Sequence, residues 1–172
     1  MQDNYTTNRL FLQKLNTTDA AFIYELVNTT NWIRFIGERN VHTLNDAVNY
    51  IVTIGHNKQI NYRVVFLKDL KIPVGVITFI KRTYLTHPDI GFAFLPQYTK
   101  KGYAFEASQA VLKDLFQSKK YAAILATTLK ENTDSVHLLT KLGFIFEQEL
   151  LHEGTQLQVY RVGSDKFINQ LN

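Results

Sequence analysis

The sequence predicts an α/β (α+β) fold, a mixed and mostly antiparallel central sheet of about seven strands flanked by about four helices. Three observations lead there. Between Asn61 and Leu95 apolar residues cluster in short runs of strand length, separated by turn residues. Elsewhere four segments repeat apolar residues at helical spacing. The order is strand, two helices, three strands, helix, strand, helix, two strands, which puts an antiparallel stretch in the middle of the sheet.

Each element has its own local reason. Arg9-Leu-Phe-Leu-Gln-Lys-Leu15 partly alternates and reads as the first strand. Asp19 lies in the first turn of a helix that carries Phe22, Ile23, Leu26 and Val27. Trp32 to Val41 shows no period and is expected to be irregular. Thr43-Leu-Asn-Asp46 is an acidic variant of the capping box, and Ala47, Tyr50, Ile51 and Ile54 share the face that follows. Asn61 to Leu67 and Pro73 to Ile80 form a hairpin about Lys68-Asp-Leu-Lys71, with Pro73 at a strand start where its missing N–H is tolerated. Asp89 to Leu95 is a further strand. Gly102 to Phe116 is a helix with Ala107, Val111 and Leu115 on one stripe. Tyr121 to Leu129 is a strand, and Asn132 to Leu142 a helix stopped by Gly143. Phe144 to Leu151 and Gln156 to Val162 close the chain as a hairpin.

Composition narrows the function. A chain of 172 residues is expected to be one domain, 1–172, with a sizeable core. With 45% apolar residues, 12 Phe and 9 Tyr, disorder is not expected. The net charge of +4 suits an anionic small molecule and is no argument for nucleic acid, because the densest basic runs are the pairs Lys100-Lys101 and Lys119-Lys120. The absence of cysteine excludes disulfides, thiolate zinc sites and a cysteine nucleophile. His42, His56, His87, His137 and His152 show no metal-ligand spacing, so no metal is expected. No serine sits in a G-x-S-x-G elbow. MQDNYTTNRL lacks the apolar stretch of a leader, and no run approaches the ~20 residues of a membrane span. The expectation is a soluble cytoplasmic protein that does not bind membranes or nucleic acid.

The stretch Leu95-Pro-Gln-Tyr-Thr-Lys-Lys-Gly-Tyr-Ala-Phe-Glu-Ala107 joins a strand to a helix. A helix start leaves about four N–H groups without intrahelical partners and carries about half a positive charge. A glycine lets a ligand approach the backbone closely. Lysines add charge, so the segment has the parts of a phosphate cradle; read alone, it equally fits a solvated turn with two surface lysines. Asn132-Thr-Asp-Ser135 by itself reads as a helix cap, and Lys141-Leu-Gly-Phe144 as a helix end.

Taken in order, Asp89-Ile-Gly-Phe-Ala-Phe-Leu-Pro96, Tyr98, Lys101-Gly-Tyr-Ala-Phe-Glu-Ala107, Asn132, Ser135 and Lys141-Leu-Gly-Phe144 resemble the GNAT superfamily of acyl-CoA N-acyltransferases. Within it they are similar to the RimJ/RimL-type branch, as are Asn8-Arg-Leu-Phe-Leu12, Gly37-Glu-Arg-Asn-Val41 and Asn45-Asp-Ala47. The resemblance runs from about residue 8 to residue 162. It implies the GNAT fold, acetyl-CoA as co-substrate, and transfer of the acetyl group to a primary amine by direct attack in a ternary complex. The amine belongs to a protein N-terminus or to a small molecule. The resemblance further implies that Phe94 and Leu95 offer backbone groups to the pantetheine arm. The N–H groups of Lys100, Lys101, Gly102, Tyr103 and Ala104 would hold the pyrophosphate, and Asn132 and Ser135 would face the cofactor. A monomer or a homodimer fits.

Two departures from the family pattern stand out. Lys100 occupies a place where relatives have glycine, and a positive φ there would strain it. Leu139 stands where many members have a tyrosine, so the general acid has no assigned residue. Glu38 is a candidate base or acceptor-site residue, with a surface carboxylate beside Arg39 as its other reading. Glu106 is a second candidate base, with a favourable contact to the helix N-terminus as its other reading. Trp32, Phe35, Tyr84 and Phe92 either line an acceptor pocket or pack in the core. The departures also motivate a second reading of the whole chain, a non-catalytic acyl-CoA-binding or sensory module on the same fold.

Overall fold

The computed structural model of the chain describes residues 1–169. Its strands are β1 (Asn4–Thr6), β2 (Leu10–Lys14), β3 (Ile60–Leu67), β4 (Ile72–Ile80), β5 (Asp89–Phe94), β6 (Ala123–Thr128), β7 (Ile145–His152) and β8 (Thr155–Gly163). They form an eight-stranded sheet in the order β1-β2-β3-β4-β5-β6-β8-β7. Every neighbouring pair is antiparallel except β5 and β6. The helices are α1 (Ala20–Val27), α2 (Thr30–Phe35), α3 (Leu44–His56), α4 (Tyr103–Gln117), α5 (Thr133–Lys141) and α6 (Ser164–Asn169).

Strand alternation divides the apolar residues between two cores. Val64 and Val76 join Phe22, Ile23 and Leu26 of α1, Trp32 of α2 and Ile51 of α3 in one. Val65, Val74 and Ile77 join Val111, Leu112 and Leu115 of α4, Leu139 of α5 and Phe167 of α6 in the other. The sheet is therefore covered on both faces, which is why the middle residues of β3 and β4 are buried without interruption.

The helix ends follow their sequence signals. Thr43 Oγ1 accepts from the N–H of Asp46, and Asp46 accepts from the N–H of Thr43, completing the expected capping box of α3. At the end of α5, Gly143 takes φ +88°. Its N–H reaches Thr140 O, and the N–H of Phe144 reaches Leu139 O, while the buried Phe144 and Leu139 side chains share one core. This is the pattern of a Schellman motif with its apolar contact. The closing hairpin turns on Glu153 and Gly154, both at positive φ, as a two-residue connection between right-twisted strands requires.

Three elements exceed the expectation. β1 spans three residues and has no periodic signal; distant groups hold it, since Asp114 accepts from the Tyr5 hydroxyl and Arg63 donates to Gln2 O. α2 replaces part of the segment expected to be irregular: Thr29 caps it, and only Trp32 of its six residues is buried, too few to show a period. α6 is a six-residue helix with one buried anchor, Phe167.

Leu112 is fully buried between α4 and the sheet. Leu112→Ala should cost about 2–5 kcal/mol in urea unfolding. A loss below about 1 kcal/mol would mean that this face of the sheet is not packed as described.

Candidate functional site

The parallel pair at the centre of the sheet meets at a single register position, Asp89 opposite Leu125. Pro88 O accepts from the N–H of Leu125 at 2.9 Å, and beyond this point the strands part. The fork is pinned by a buried carboxylate. Asp89 is 2% exposed; its Oδ2 accepts from Arg82 Nε at 2.9 Å and from Thr127 Oγ1 at 3.3 Å, and its Oδ1 has no partner among the described residues. Burial raises the Asp89 pKa, against the opposing pull of the Arg82 guanidinium. Tyr84 stacks on His152 with ring centroids 3.7 Å apart, joining the β4–β5 loop to the β7–β8 hairpin.

One edge of β5 is used by β4, in a register free of bulges. The N–H of Leu95 donates to Val74 O, so alternation turns Ala93, Gly91 and Asp89 towards β4. Phe92 and Phe94 then direct their N–H and C=O groups into the fork. Gly75 makes room for Phe94, because a Cβ at Gly75 would overlap its ring. Leu95 is placed differently from Phe94. Its N–H is committed to Val74 and its C=O accepts from the N–H of Tyr98, so it has no free donor for a ligand. Phe92, expected only as pocket lining or core, takes the place next to Phe94 on the open edge.

After β5, Pro96–Tyr98 makes one 3-10 turn and the chain enters α4 through Lys100, Lys101 and Gly102. Lys100 has φ +58° and Gly102 φ +81°. For lysine, the left-handed region costs about 1–2 kcal/mol, the strain that glycine avoids. The alternation turns successive peptide N–H groups towards one concavity. Among the described residues, none of the N–H groups from Lys100 to Phe105 donates to a protein acceptor. Six adjacent donors at the positive end of a 15-residue helix are the chemistry that a pyrophosphate needs.

Contacts from three directions hold the loop. Lys100 Nζ lies 3.6 Å from Asp134 Oδ2 in the first turn of α5, in an exposed pair worth little by itself. Lys101 Nζ lies 5.5 Å from the Tyr98 ring centroid. Arg9, in the turn before β2, donates Nη1 to Lys101 O at 3.0 Å and stacks its guanidinium 4.6 Å from the Tyr103 ring centroid. Arg9 also meets Glu106, through Nε to Oε2 at 2.7 Å and through its own N–H to Oε1 at 2.8 Å.

Glu106 therefore has a fixed occupation. Oε1 also accepts from Thr7 Oγ1 at 2.6 Å. Burial tends to raise its pKa, but the hydrogen bonds from Thr7 and Arg9 and the Arg9 charge outweigh it and hold the carboxyl below its ordinary value. A carboxylate so engaged is a poor proton acceptor, and its hydrogen bonds are made to Thr7 and Arg9 in the turn before β2.

Across the fork, Asn132 Oδ1 accepts from the N–H of Ser135 and caps α5, leaving Asn132 Nδ2 and the half-buried Ser135 hydroxyl without protein partners among the described residues. Leu139 is buried in the core and holds no proton. Glu38 is exposed and closes a turn, with Oε1 accepting from the N–H groups of Arg39 and Asn40. The Arg39 guanidinium instead caps α2, donating to Ile36 O, Gly37 O and Glu38 O. Burial raises the Tyr62 pKa, and the neighbouring Tyr50 hydroxyl raises it further. Of the aromatics, Trp32 is core, Phe35 lies under the Arg34 guanidinium, and Phe92 packs against the α4 core.

The described residues hold no group of three or more His, Asp or Glu side chains placed to share a metal ion. No helix among them is long and apolar enough to cross a membrane.

Three comparisons bear on this geometry. The family model for the acetyltransferase (GNAT) domain matches residues 9–145. The chain is 34% identical over 140 residues to the uncharacterized N-acetyltransferase YnaD of Bacillus subtilis (strain 168), covering 80% of each protein. It superposes on the crystal structure of a GNAT-family acetyltransferase from Bacillus anthracis with TM-score 0.80 at 28% identity, covering 94% of this chain and 99% of that one. The fold is shared with the spermidine N-acetyltransferase of Vibrio cholerae, solved with CoA and spermine, at TM-score 0.80 and 21% identity over 95% of this chain and all of that one.

The depressed Glu106 carboxyl has a sign that can be tested. Its stabilising contribution is present above the ordinary value of 4.5 and is lost as pH falls through the lower folded value. The difference in Tm between the native protein and Glu106→Gln should be largest near neutral pH and should narrow in acid. A difference that stays constant from about pH 7 to about pH 4 would contradict the bonding described.

Proposed function

The chain belongs to the GNAT family of acetyltransferases, and from that premise we propose that it takes its acetyl group from acetyl-CoA and passes it to a primary amine by direct attack in a ternary complex. The observation that carries the proposal is the row of unpartnered N–H groups from Lys100 to Phe105, open beside the β5–β6 fork.

In this reading each part of the site has one task. The N–H groups of Lys100, Lys101, Gly102, Tyr103 and Ala104 receive the pyrophosphate, with the lysine charges adding attraction. The outward groups of Phe92 and Phe94 align the pantetheine arm as a strand edge aligns a peptide. Asn132 Nδ2 and the Ser135 hydroxyl face the arm from the other side of the fork. When bound, acetyl-CoA supplies an activated thioester carbonyl at the fork. The chain supplies position and charge, which are large terms when nucleophile and carbonyl are held in register.

Glu38 is the proposed carboxylate of the acceptor side. Its Oε1 is held by two backbone N–H groups, which fixes the side chain and leaves Oε2 for an incoming ammonium or its proton. The buried Leu139 makes the chain rely on a group other than the tyrosine of many relatives to protonate the departing thiolate.

The alternative is a binding module without turnover, motivated by the strained Lys100 and by Leu139. A coupled assay for released CoA over a panel of peptide N-termini, polyamines and aminoglycosides separates the two. Catalysis predicts amine-dependent CoA release, and Glu38→Gln raising KM for the preferred amine while KM for acetyl-CoA holds. Tight acetyl-CoA binding without turnover on any amine would favour the module.

A further inference from the structure

We propose that Arg9 is a positioning residue of the pyrophosphate cradle, setting the direction of the Gly102 N–H from behind the loop without touching the phosphate. The inference rests on the cofactor reading given above. It begins from one peptide plane. In a trans peptide the C=O and the following N–H point to opposite sides. The C=O of Lys101 and the N–H of Gly102 belong to the same plane. Arg9 Nη1 holds that carbonyl at 3.0 Å, and so directs the Gly102 N–H away from the turn before β2, into the concavity.

This plane has special need of a hold. It joins Lys101 to Gly102 at φ +81°, one residue after Lys100 at φ +58°. Glycine occupies either sign of φ with little preference, so the Lys101–Gly102 peptide is the one in the loop that flips at least intrinsic cost. A flip would turn the Gly102 N–H out of the donor row and put a carbonyl oxygen in its place, facing the phosphate. Unusual φ values persist where the surroundings over-determine them.

Arg9 is itself immobilised. Glu106 takes its Nε and its backbone N–H, and Glu106 is one turn inside the helix whose start the cradle uses. The guanidinium plane lies over Tyr103, the next residue in the row. Nη2 lies 3.2 Å from where a Cβ on Gly102 would stand, so the guanidinium closes the rear of the loop. Nothing local in the sequence announces this role, since Arg9 and Glu106 are 97 residues apart.

The test uses two ligands and calorimetry on the full chain. CoA carries the pyrophosphate; S-acetylpantetheine lacks it and keeps the arm and thioester. Arg9→Met preserves the apolar stem and removes the donors. It should weaken CoA binding roughly tenfold, about 1.4 kcal/mol, and leave S-acetylpantetheine affinity unchanged. Arg9→Lys, which retains one charged donor, should fall between the native protein and Arg9→Met, and serves if the latter does not fold. Glu106→Ala should also weaken CoA binding, because it frees the brace. If Arg9 were a direct phosphate ligand, releasing it from Glu106 would strengthen binding instead. Unchanged CoA affinity in both Arg9 variants, or equal losses for the two ligands, overturns the inference. Failure of the native protein to bind CoA overturns the cofactor reading itself, and this inference with it.

Discussion

β5 and β6 share one paired position and then separate, and the arrangement of the candidate site follows from that separation. A continuous parallel ladder would consume the backbone groups of both strands. Here Phe92 and Phe94 keep theirs, although the fork lies in the middle of an eight-stranded sheet. Both faces of the sheet are packed, so the opening is held by two cores rather than by loops. At its apex sits Asp89, a buried charge that would be costly alone and is stabilised by Arg82 and Thr127. The donor edge and the donor loop are continuous in the chain, because β5 runs through a single turn into the start of α4.

The loop shows how strain and pre-organisation combine. A lysine at positive φ is unfavourable, yet the conformation puts successive N–H groups on one side. Three contacts border the loop: Asp134 meets the Lys100 ammonium, Tyr98 the Lys101 ammonium, and Arg9 the Lys101 carbonyl. The exposed pair with Asp134 draws the Lys100 side chain towards α5. It spans the two helix starts that border the fork, so an anion entering there meets a lysine already drawn to the site's edge.

Much of the fold was legible where the information is local. Thr43 and Asp46 announce their cap, Gly143 its helix end, and the β3–β4 hairpin its turn, because each is decided by residues a few positions apart. β1 and α2 were not legible, being too short for a period and held by distant groups. The site divides in the same way. The donor row was visible as a glycine and a helix start, and resemblance gave it a ligand. For Leu95 and Phe94, one residue of register decides whether an N–H faces the neighbouring strand or the fork. Glu106 was weighed as a base because its partners, Thr7 and Arg9, lie at the other end of the sequence.

The central claim, that the N–H groups of Lys100 to Phe105 are the phosphate-binding surface, is tested most directly by amide NMR of the isotopically labelled protein titrated with CoA. These amides should shift most, and S-acetylpantetheine should leave them in place while still moving Phe92 and Phe94. CoA binding with these amides unmoved, and the largest changes elsewhere on the chain, would contradict it.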